Sequence, residues 1–545
     1  GADDESQSDV IMGTITKLLF RPGINREGTQ FAEQGSWYDC DKVRFRNGNP
    51  EKIGGWEKVT ESVFKGVCRI LFDWTLLDGT NCLALGTHKK MYIEQSGQFY
   101  DITPIRFSET GANTITSGTA GSTIQTYTTT ADHEARTGDY FIISGVTADV
   151  DGICTDTYTN PFRTSAAGSG IVIVSTTTPH YAAAGDSVTF SGTTGFDGIS
   201  SGDFNTTKTI LEVLSATSYT ISVATNATAG AVAGGGSVTA VYLGRLNREF
   251  EILSVPTDKT VTFQTAKGCT TGGVTGGGAN ITAKFLIFTG FANQIIGGGW
   301  GTCTWSRGTW SSACGTQVFG ISLRIWSVDN YGEDFVFAAR NGPPYVWDAS
   351  NGTSTRGVLI SSLPGASDVP GEVTIIIVAD SRHLVAIGAS DLLTSTFDPL
   401  LIRWSEQEDL TNWTPDVTNT AGDIRIPMGS YVVAAKKTRQ EILIWTDKSI
   451  HSLQFSGAPF TFSLQTIAEN INIAGPNAAA NAANKTFWMG KDKFWVYDGR
   501  VQNLPCSVQR YVFDNVNEEQ LTQIYAVTNH NFTEVTWLYC SANSN

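Results

Sequence analysis

No run of eighteen apolar residues occurs in the chain, so no membrane-spanning helix is expected. Charge is sparse as well, with Asp, Glu, Lys and Arg making up 16% of 545 residues, and basic charge is the scarcer kind, leaving a net charge of −15. That deficit argues against a nucleic-acid grip built on phosphate neutralisation, although an acidic wall suits a channel along which DNA slides without sticking. The acidic start GADDESQSDVI lacks the positive and apolar regions of a signal peptide, so none is expected, and Met12 is a natural translation start. The six histidines are scattered singly and the nine cysteines, an odd number, contain no CxxC, which excludes the usual zinc and redox patterns. Free thiols in a reducing cytosol are expected, with Cys303 and Cys314 the one pair close enough in a loop-like segment to suggest a disulfide. There is no Walker loop, HExxH or dinucleotide fingerprint. GxSxG occurs once, at Gly198 to Gly202, without the strand and helix that a nucleophile elbow needs, and is read as a turn. No catalytic, cofactor-binding or metal-binding residues are expected from these patterns, and no cofactor.

What is abundant is glycine, 57 residues, in a background of Ser, Thr, β-branched and aromatic residues. That mixture favours an all-β chain rich in turns. Lys485 to Pro505, KTFWMGKDKFWVYDGRVQNLP, is a compact hairpin unit in which strand period and turn chemistry agree. Related units stand at Cys82 to Pro104, Asp334 to Asp348 and Glu441 to Gly457, with a weaker copy from His383 through Trp404. One such hairpin has too little apolar surface to be stable alone, so the units must pack on one another around an axis. The expected fold is therefore all-β: a β-propeller-like set of repeated hairpins with an inserted Ig-like or β-sandwich region. The expected layout is an N-terminal arm over 1–19, the first part of the propeller over 20–105, the inserted modules over 106–285, a Gly/Trp-rich loop over 286–320 and the remaining propeller over 321–545.

The insert differs in character from its flanks. All fourteen tryptophans lie outside residues 75–299, and between Phe107 and Gly244 only Arg136, Arg163 and Lys208 are basic. It also repeats itself. HEARTGDYFIISG from His133 matches HYAAAGDSVTFSG from His180 at an offset of 47, and an Asp-Gly-Ile follows each. LSATSYTISV from Leu214 resembles LSVPTDKTVTF from Leu253, and each runs into a triple glycine. Two small modules of short strands are expected. His133 and His180 are read as turn-orienting or surface residues rather than metal ligands, and Asp139 and Asp186 as structural.

Near the N-terminus, Arg21, Arg26, Arg44 and Arg46 stand among Glu27, Glu33, Asp39, Asp41 and Glu51, a density that suggests ion pairs with a neighbour. Trp300, Trp305 and Trp310 recur every five residues, a period of neither helix nor strand, so these anchors must bury against something. These seven Arg and Trp residues are the candidate interface. Ser405 and Glu408 have capping-box spacing for a helical turn, and Asn517 followed by Glu518 and Glu519 predicts a helix over 517–525. The last strand, in EVTWLYCSANSN, has no partner strand after it and is expected to mark a boundary of the ordered or processed chain.

GTITKLLFRPGINREGTQFAEQG and WYDCDKVRFRNG near the N-terminus, IRWSEQEDLTNWTP at Ile402 to Pro415 and the TFWMG/FWVYDG hairpin together resemble structural proteins of tailed bacteriophages. The resemblance points most closely to the tail nozzle family of short-tailed phages, also called tail tubular protein B or packaged-DNA stabilisation protein. It covers roughly 13–105 and 286–545 and leaves the insert outside. It implies a propeller-bearing structural subunit, made in the host cytoplasm and carried in the virion. Six copies would form a ring below the portal and adaptor, retaining DNA and conducting it at ejection, with contacts to tail fibres or spikes. Two rival expectations stand beside it. One is a phage adhesin that binds host surface glycans through the 106–285 insert. The other is a polysaccharide-degrading tail enzyme, for which Ser327-Val328-Asp329 comes close to the Asp-box of sialidases except that Gly332 falls one residue late.

Overall fold

A computed structural model describes residues 20–29, 31, 35–293, 323–457 and 460–544. Five four-stranded antiparallel sheets, each a simple meander, form the blades of a propeller-like ring. Blade one comprises Cys68–Thr75, Asn81–Thr87, Met91–Gln95 and Gln98–Asp101, and blade two Trp326–Tyr331, Asp334–Ala339, Pro344–Trp347 and Val358–Leu359. Blade three comprises Val373–Val378, Leu384–Ser390, Phe397–Trp404 and Gly422–Arg425. Blade four runs through Val432–Lys437, Ile442–Thr446, Ser449–Gly457 and Thr461–Glu469, and blade five through Ala479–Ala482, Lys485–Met489, Phe494–Tyr497 and Val501–Leu504. A final hairpin, Tyr525–Asn529 with Glu534–Leu538, lies between blades five and one. The last strand thus pairs backward, with the strand that precedes it.

The apolar cores lie between blades. Trp74 of blade one stacks on Phe335 of blade two at 5.1 Å and 10°, and the row continues through Phe337 to Tyr345. Further cores join blade two to three, three to four, and four to five with the final hairpin. A central strand is therefore covered on both faces, which is why LVAIGAS at Leu384–Ser390 and ILIWT at Ile442–Thr446 are buried throughout and read as continuous apolar runs.

Two sequence expectations are corrected here. Ser405 caps no helical turn: its hydroxyl accepts the Leu384 N–H and donates to the Glu406 carbonyl, while Glu408 adopts φ 61° in a tight turn. Residues Glu518–Gln523 form a 3-10 helix capped by Asn517 instead of an α-helix, and a short α-helix at Gln509–Phe513 went unanticipated because no capping residue precedes it. Trp300, Trp305, Trp310, Cys303 and Cys314 lie outside the described residues.

The insert is two eight-stranded sheets of identical order, each curled around its own core, not pairs of separate sheets. They are nested. The outer module begins with Ile105–Gly111, Ile115–Thr116, Ile124–Thr128 and Tyr140–Ser144, and resumes only at Glu249–Thr257 to finish at Ile281–Leu286. All eight strands of the inner module, Thr155–Thr159 through Ser237–Val241, fall in that gap. In each module one nine-residue strand, Glu249–Thr257 or Thr207–Ser215, pairs with one half of the sheet, shifts register at bulges and pairs with the other half.

The duplicated residues do the same work twice. His133 and His180 are buried rather than at the surface, and they orient turns, the other of the two expected roles: each accepts through Nδ1 the N–H two residues on, that of Ala135 or Ala182. Asp139 and Asp186 accept the N–H groups of Arg136 and Ala183. Asp151 takes the N–H groups of Thr271 and Gly272 with the Ser117 hydroxyl, and Asp197 those of Ala229 and Gly230 with the Thr164 hydroxyl. The glycine after each Asp has positive φ, and a Cβ on Gly198 would meet Thr228 Oγ1 at 2.1 Å.

A basic corner of blade one docks the outer module. Lys90, 2% exposed, reaches Asp101 at 2.6 Å and also Glu249. Lys65 pairs with Glu249 at 3.1 Å, Lys89 reaches the Tyr140 hydroxyl at 3.0 Å, and Arg356 beside blade two joins Asp101 at 3.1 Å. Burial pushes the Asp101 carboxyl up, but Lys90 and Arg356 outweigh it and hold the group below the ordinary carboxylate range.

Two outcomes follow from these contacts. Gly198→Ala should cost about 2 kcal/mol or more through left-handed strain and the Thr228 clash, measured as a lowered unfolding midpoint in denaturant. Because Asp101 has a depressed folded-state value, its stabilisation is present above the ordinary carboxylate value and lost as pH falls through the folded one. Asp101→Asn should therefore cost about 2 kcal/mol at neutral pH and flatten the acid limb of a melting-temperature profile; an acid limb as steep as that of the unaltered protein would contradict this.

Candidate functional site

The first strand of every blade faces the ring axis. Together with Tyr525 and Ala526 of the final hairpin, these strands enclose a cavity of about 300 Å³. Its charged lining is Asp329 from blade two, Arg340 just after that blade's second strand, and Lys436 and Lys437 from blade four. Asp329, 7% exposed, accepts the N–H groups of Val378 and Asn330 at 2.8 and 3.0 Å, and Lys437 Nζ stands 3.9 Å from it. Burial pushes the Asp329 carboxyl up, opposed by Lys437 and those two N–H groups. Arg340 donates to the carbonyls of Val432 and Val433 at 2.6 and 3.0 Å, and burial brings its guanidinium down to about 10. Ser327 and Asp329, the near-Asp-box residues, thus bond to the backbone of blade three rather than opening to solvent.

A second, larger depression opens at one end of the ring. It measures about 780 Å³ and is walled by the turns Thr438 to Glu441 of blade four, Ala482 to Thr486 and Tyr497 to Gly499 of blade five, and by His530 in the final hairpin. Thr438 closes its turn by donating its hydroxyl to the Glu441 carbonyl at 2.8 Å, which holds Arg439 and Gln440 at the tip. In the Ala482 to Lys485 turn both central residues, Ala483 and Asn484, have positive φ, the conformation that continues the twist of a two-residue hairpin. Glu441 accepts from the Ser452 hydroxyl and from Gln454 at 3.1 Å. Burial, and then the bond to Glu441, push the Tyr497 phenol up, so it remains a donor. Asp498 pairs with Lys485 at 3.4 Å and accepts from Gln502 at 3.1 Å.

The cleft therefore offers two carboxylates, amides, a tyrosine, an arginine and a histidine on rigid turns. None of Arg439, Glu441, Tyr497, Asp498 and His530 was singled out as a functional residue from sequence. The signal was present: in a meander repeat the turns after the first and third strands emerge on the same end, so the turns of neighbouring copies converge.

Three of the four arginines expected at an interface contact the C-terminal part of the chain itself. Arg26 pairs with Asp39 at 2.7 Å, and its guanidinium lies 4.0 Å from the Tyr511 ring centre. Arg44 stands 3.7 Å from Glu534 and 3.6 Å from the Phe532 ring centre, with Arg46 at 5.6 Å from the same ring. Arg21 is exposed and its backbone N–H bonds to Gly35. The N-terminal segment is thereby fastened to the C-terminal part of its own chain, with Ser507 donating to the Ile24 carbonyl. The GxSxG serine, Ser200, caps a one-turn helix by accepting the Asp203 N–H. Among the described residues no group of three or more His, Cys, Asp and Glu side chains is arranged to hold a metal ion, and no helix is long and apolar enough to cross a membrane.

No protein-family model and no curated protein matches the chain. Among solved structures it is similar to the phage phi92 endosialidase, with 13% identity, 85% of this chain and 60% of that chain covered, and a TM-score of 0.18. The chain thus spans less than two thirds of that protein's length. The expectation of a chain without enzymatic activity is corrected by this comparison, since the similar structure is by name an enzyme. Physically, a search for contiguous motifs does not see a site whose carboxylates come from separate turns, as Glu441 and Asp498 do.

Proposed function

We propose that the protein is a phage tail component that engages host surface glycans at the cleft between blades four and five. The observation that carries the proposal is the cleft itself: about 780 Å³ lined by amides, carboxylates and a tyrosine held on closed turns. Such a set matches sugar hydroxyls, which need paired donors and acceptors in fixed positions more than apolar area. The insert, by contrast, spends many of its surface hydroxyls on each other, as in Thr189 with Thr207, Ser254 with Thr262 and Thr110 with Thr282. That favours the propeller cleft over the insert as the adhesive surface. Glu441 and Asp498 both line the cleft, and glycoside hydrolysis uses a pair of carboxyl groups.

Isolated bacterial surface polysaccharides provide the test, with binding and reducing-end release both followed. Gln440→Trp, which fills the cleft from an exposed turn tip, should weaken binding at least about tenfold, while Thr209→Trp on the inner module should leave it unchanged. The reverse pattern would move the site to the insert, and binding indifferent to both would remove the cleft from consideration.

One observation favours a second reading, a tail nozzle subunit. The stretches that resemble that family, roughly 13–105 and 286–545, contain all five blades and the final hairpin, while the unmatched insert folds around cores of its own. A rigid ring of blades is suited to being a building block between portal or adaptor proteins and tail fibres or spikes, in a virion channel that DNA traverses. This reading expects assembly into a ring of about six copies, visible by mass measurement and projection images of the purified protein; a chain that stays monomeric at high concentration would count against it.

A further inference from the structure

The axial cavity carries a charge opposite to that of the molecule around it. The chain has a net charge of −15, yet the cavity wall holds Arg340, Lys436 and Lys437 against Asp329 alone. Even with Asp380, which Lys437 approaches at 3.8 Å, cations remain in excess. Two of the three cations are committed. Arg340 bonds to the Val432 and Val433 carbonyls, and Lys437 to the Val378 carbonyl at 3.1 Å as well as to its carboxylate neighbours. Lys436 has no hydrogen-bond or ion-pair partner among the described residues. Lys436 lines the cavity wall yet remains exposed to solvent, so its ammonium group is open to a ligand. The surrounding blades are apolar, and walls of low dielectric concentrate a field in a cleft of one sign.

We infer that the axial cavity is a binding site for a small oxyanion, with Lys436 as the group that pairs with it. An ion the size of phosphate or a small carboxylate fits within about 300 Å³ together with ordered water. The bound anion would neutralise the surplus charge at the place where the first strands of the blades meet. It would stabilise the closed ring by mass action. This inference is independent of the glycan proposal, since no residue is shared between cavity and cleft.

The test uses the full chain and inorganic phosphate, with chloride at matched ionic strength as the control. Phosphate at about 10 mM should raise the melting temperature by about 2 °C over chloride, and saturable line broadening of the phosphate resonance should accompany it. Lys436→Gln should abolish the extra rise. Because Lys436 makes no contact that folding needs, that variant should melt near the unaltered protein in chloride. An equal rise in chloride, a rise that survives in Lys436→Gln, or an absence of both shift and saturable broadening would each overturn the site. Should Lys436→Gln fold poorly, the broadening measured on the unaltered protein decides alone.

Discussion

The inner edge of each blade is a row of backbone N–H and C=O groups with no further strand beside it, and satisfying those groups is what the ring depends on. Polar side chains span the gaps between neighbouring inner strands. Ser327 and Asp329 of blade two bond to the backbone of Ile376 and Val378 in blade three. Lys437 of blade four returns to the Val378 carbonyl, Asn481 of blade five donates to the Lys437 carbonyl, and Thr528 of the final hairpin donates to the Asn481 carbonyl. Arg69 of blade one donates to Gln523, just ahead of that hairpin, and Trp326 of blade two donates its indole N–H to the Thr87 carbonyl of blade one, which completes the circle. Each bond contributes only about 1 kcal/mol net, but an inner edge left unsatisfied would cost more than it gains by being bonded. The apolar cores between blades supply most of the cohesion, and the polar lacing fixes where each blade stands.

The same lacing explains the charge of the axis. Arginine and lysine side chains are long enough to reach a neighbouring carbonyl, and using them as bridging donors brings cations into the centre of an acidic protein. The outer module is attached by similar chemistry, with Lys90 buried among Asp101 and Glu249 so that two folded bodies share one charge cluster. A buried charge network of this kind costs desolvation and is sensitive to the loss of any member, which favours one docking geometry over others.

The nested modules show how a duplication can be visible while its topology is not. The constant offset of 47 between the first halves reflects equal chain lengths from each module's second strand to its fourth. In the second halves the order is reversed, because the inner module must finish before the outer one resumes. Hydrogen-bonded pairing of Tyr140–Ser144 with Glu249–Thr257 is a contact across more than a hundred residues, and no local pattern encodes it. The histidines and aspartates are equivalent in both modules because the turn chemistry is local. Their burial comes from the curl of the sheet, which local sequence does not specify.

Alternating apolar residues and glycine or asparagine turns determined the all-β class, the hairpin repeats in all five blades and the separate character of the insert, because strand period and turn geometry act over a few residues. Helix signals at Ser405 and Asn517 were weaker, since a capping pattern competes with turns and 3-10 geometry that share its residues. Tertiary structure alone decided the rest. Closure of the ring brought the turn tips Arg439, Tyr497 and His530 to one cleft, and Asp329, Arg340 and Lys436 to one cavity. The charge and shape of such places are sums over residues distant in the chain, and those sums exist only once long-range strand and blade contacts have formed.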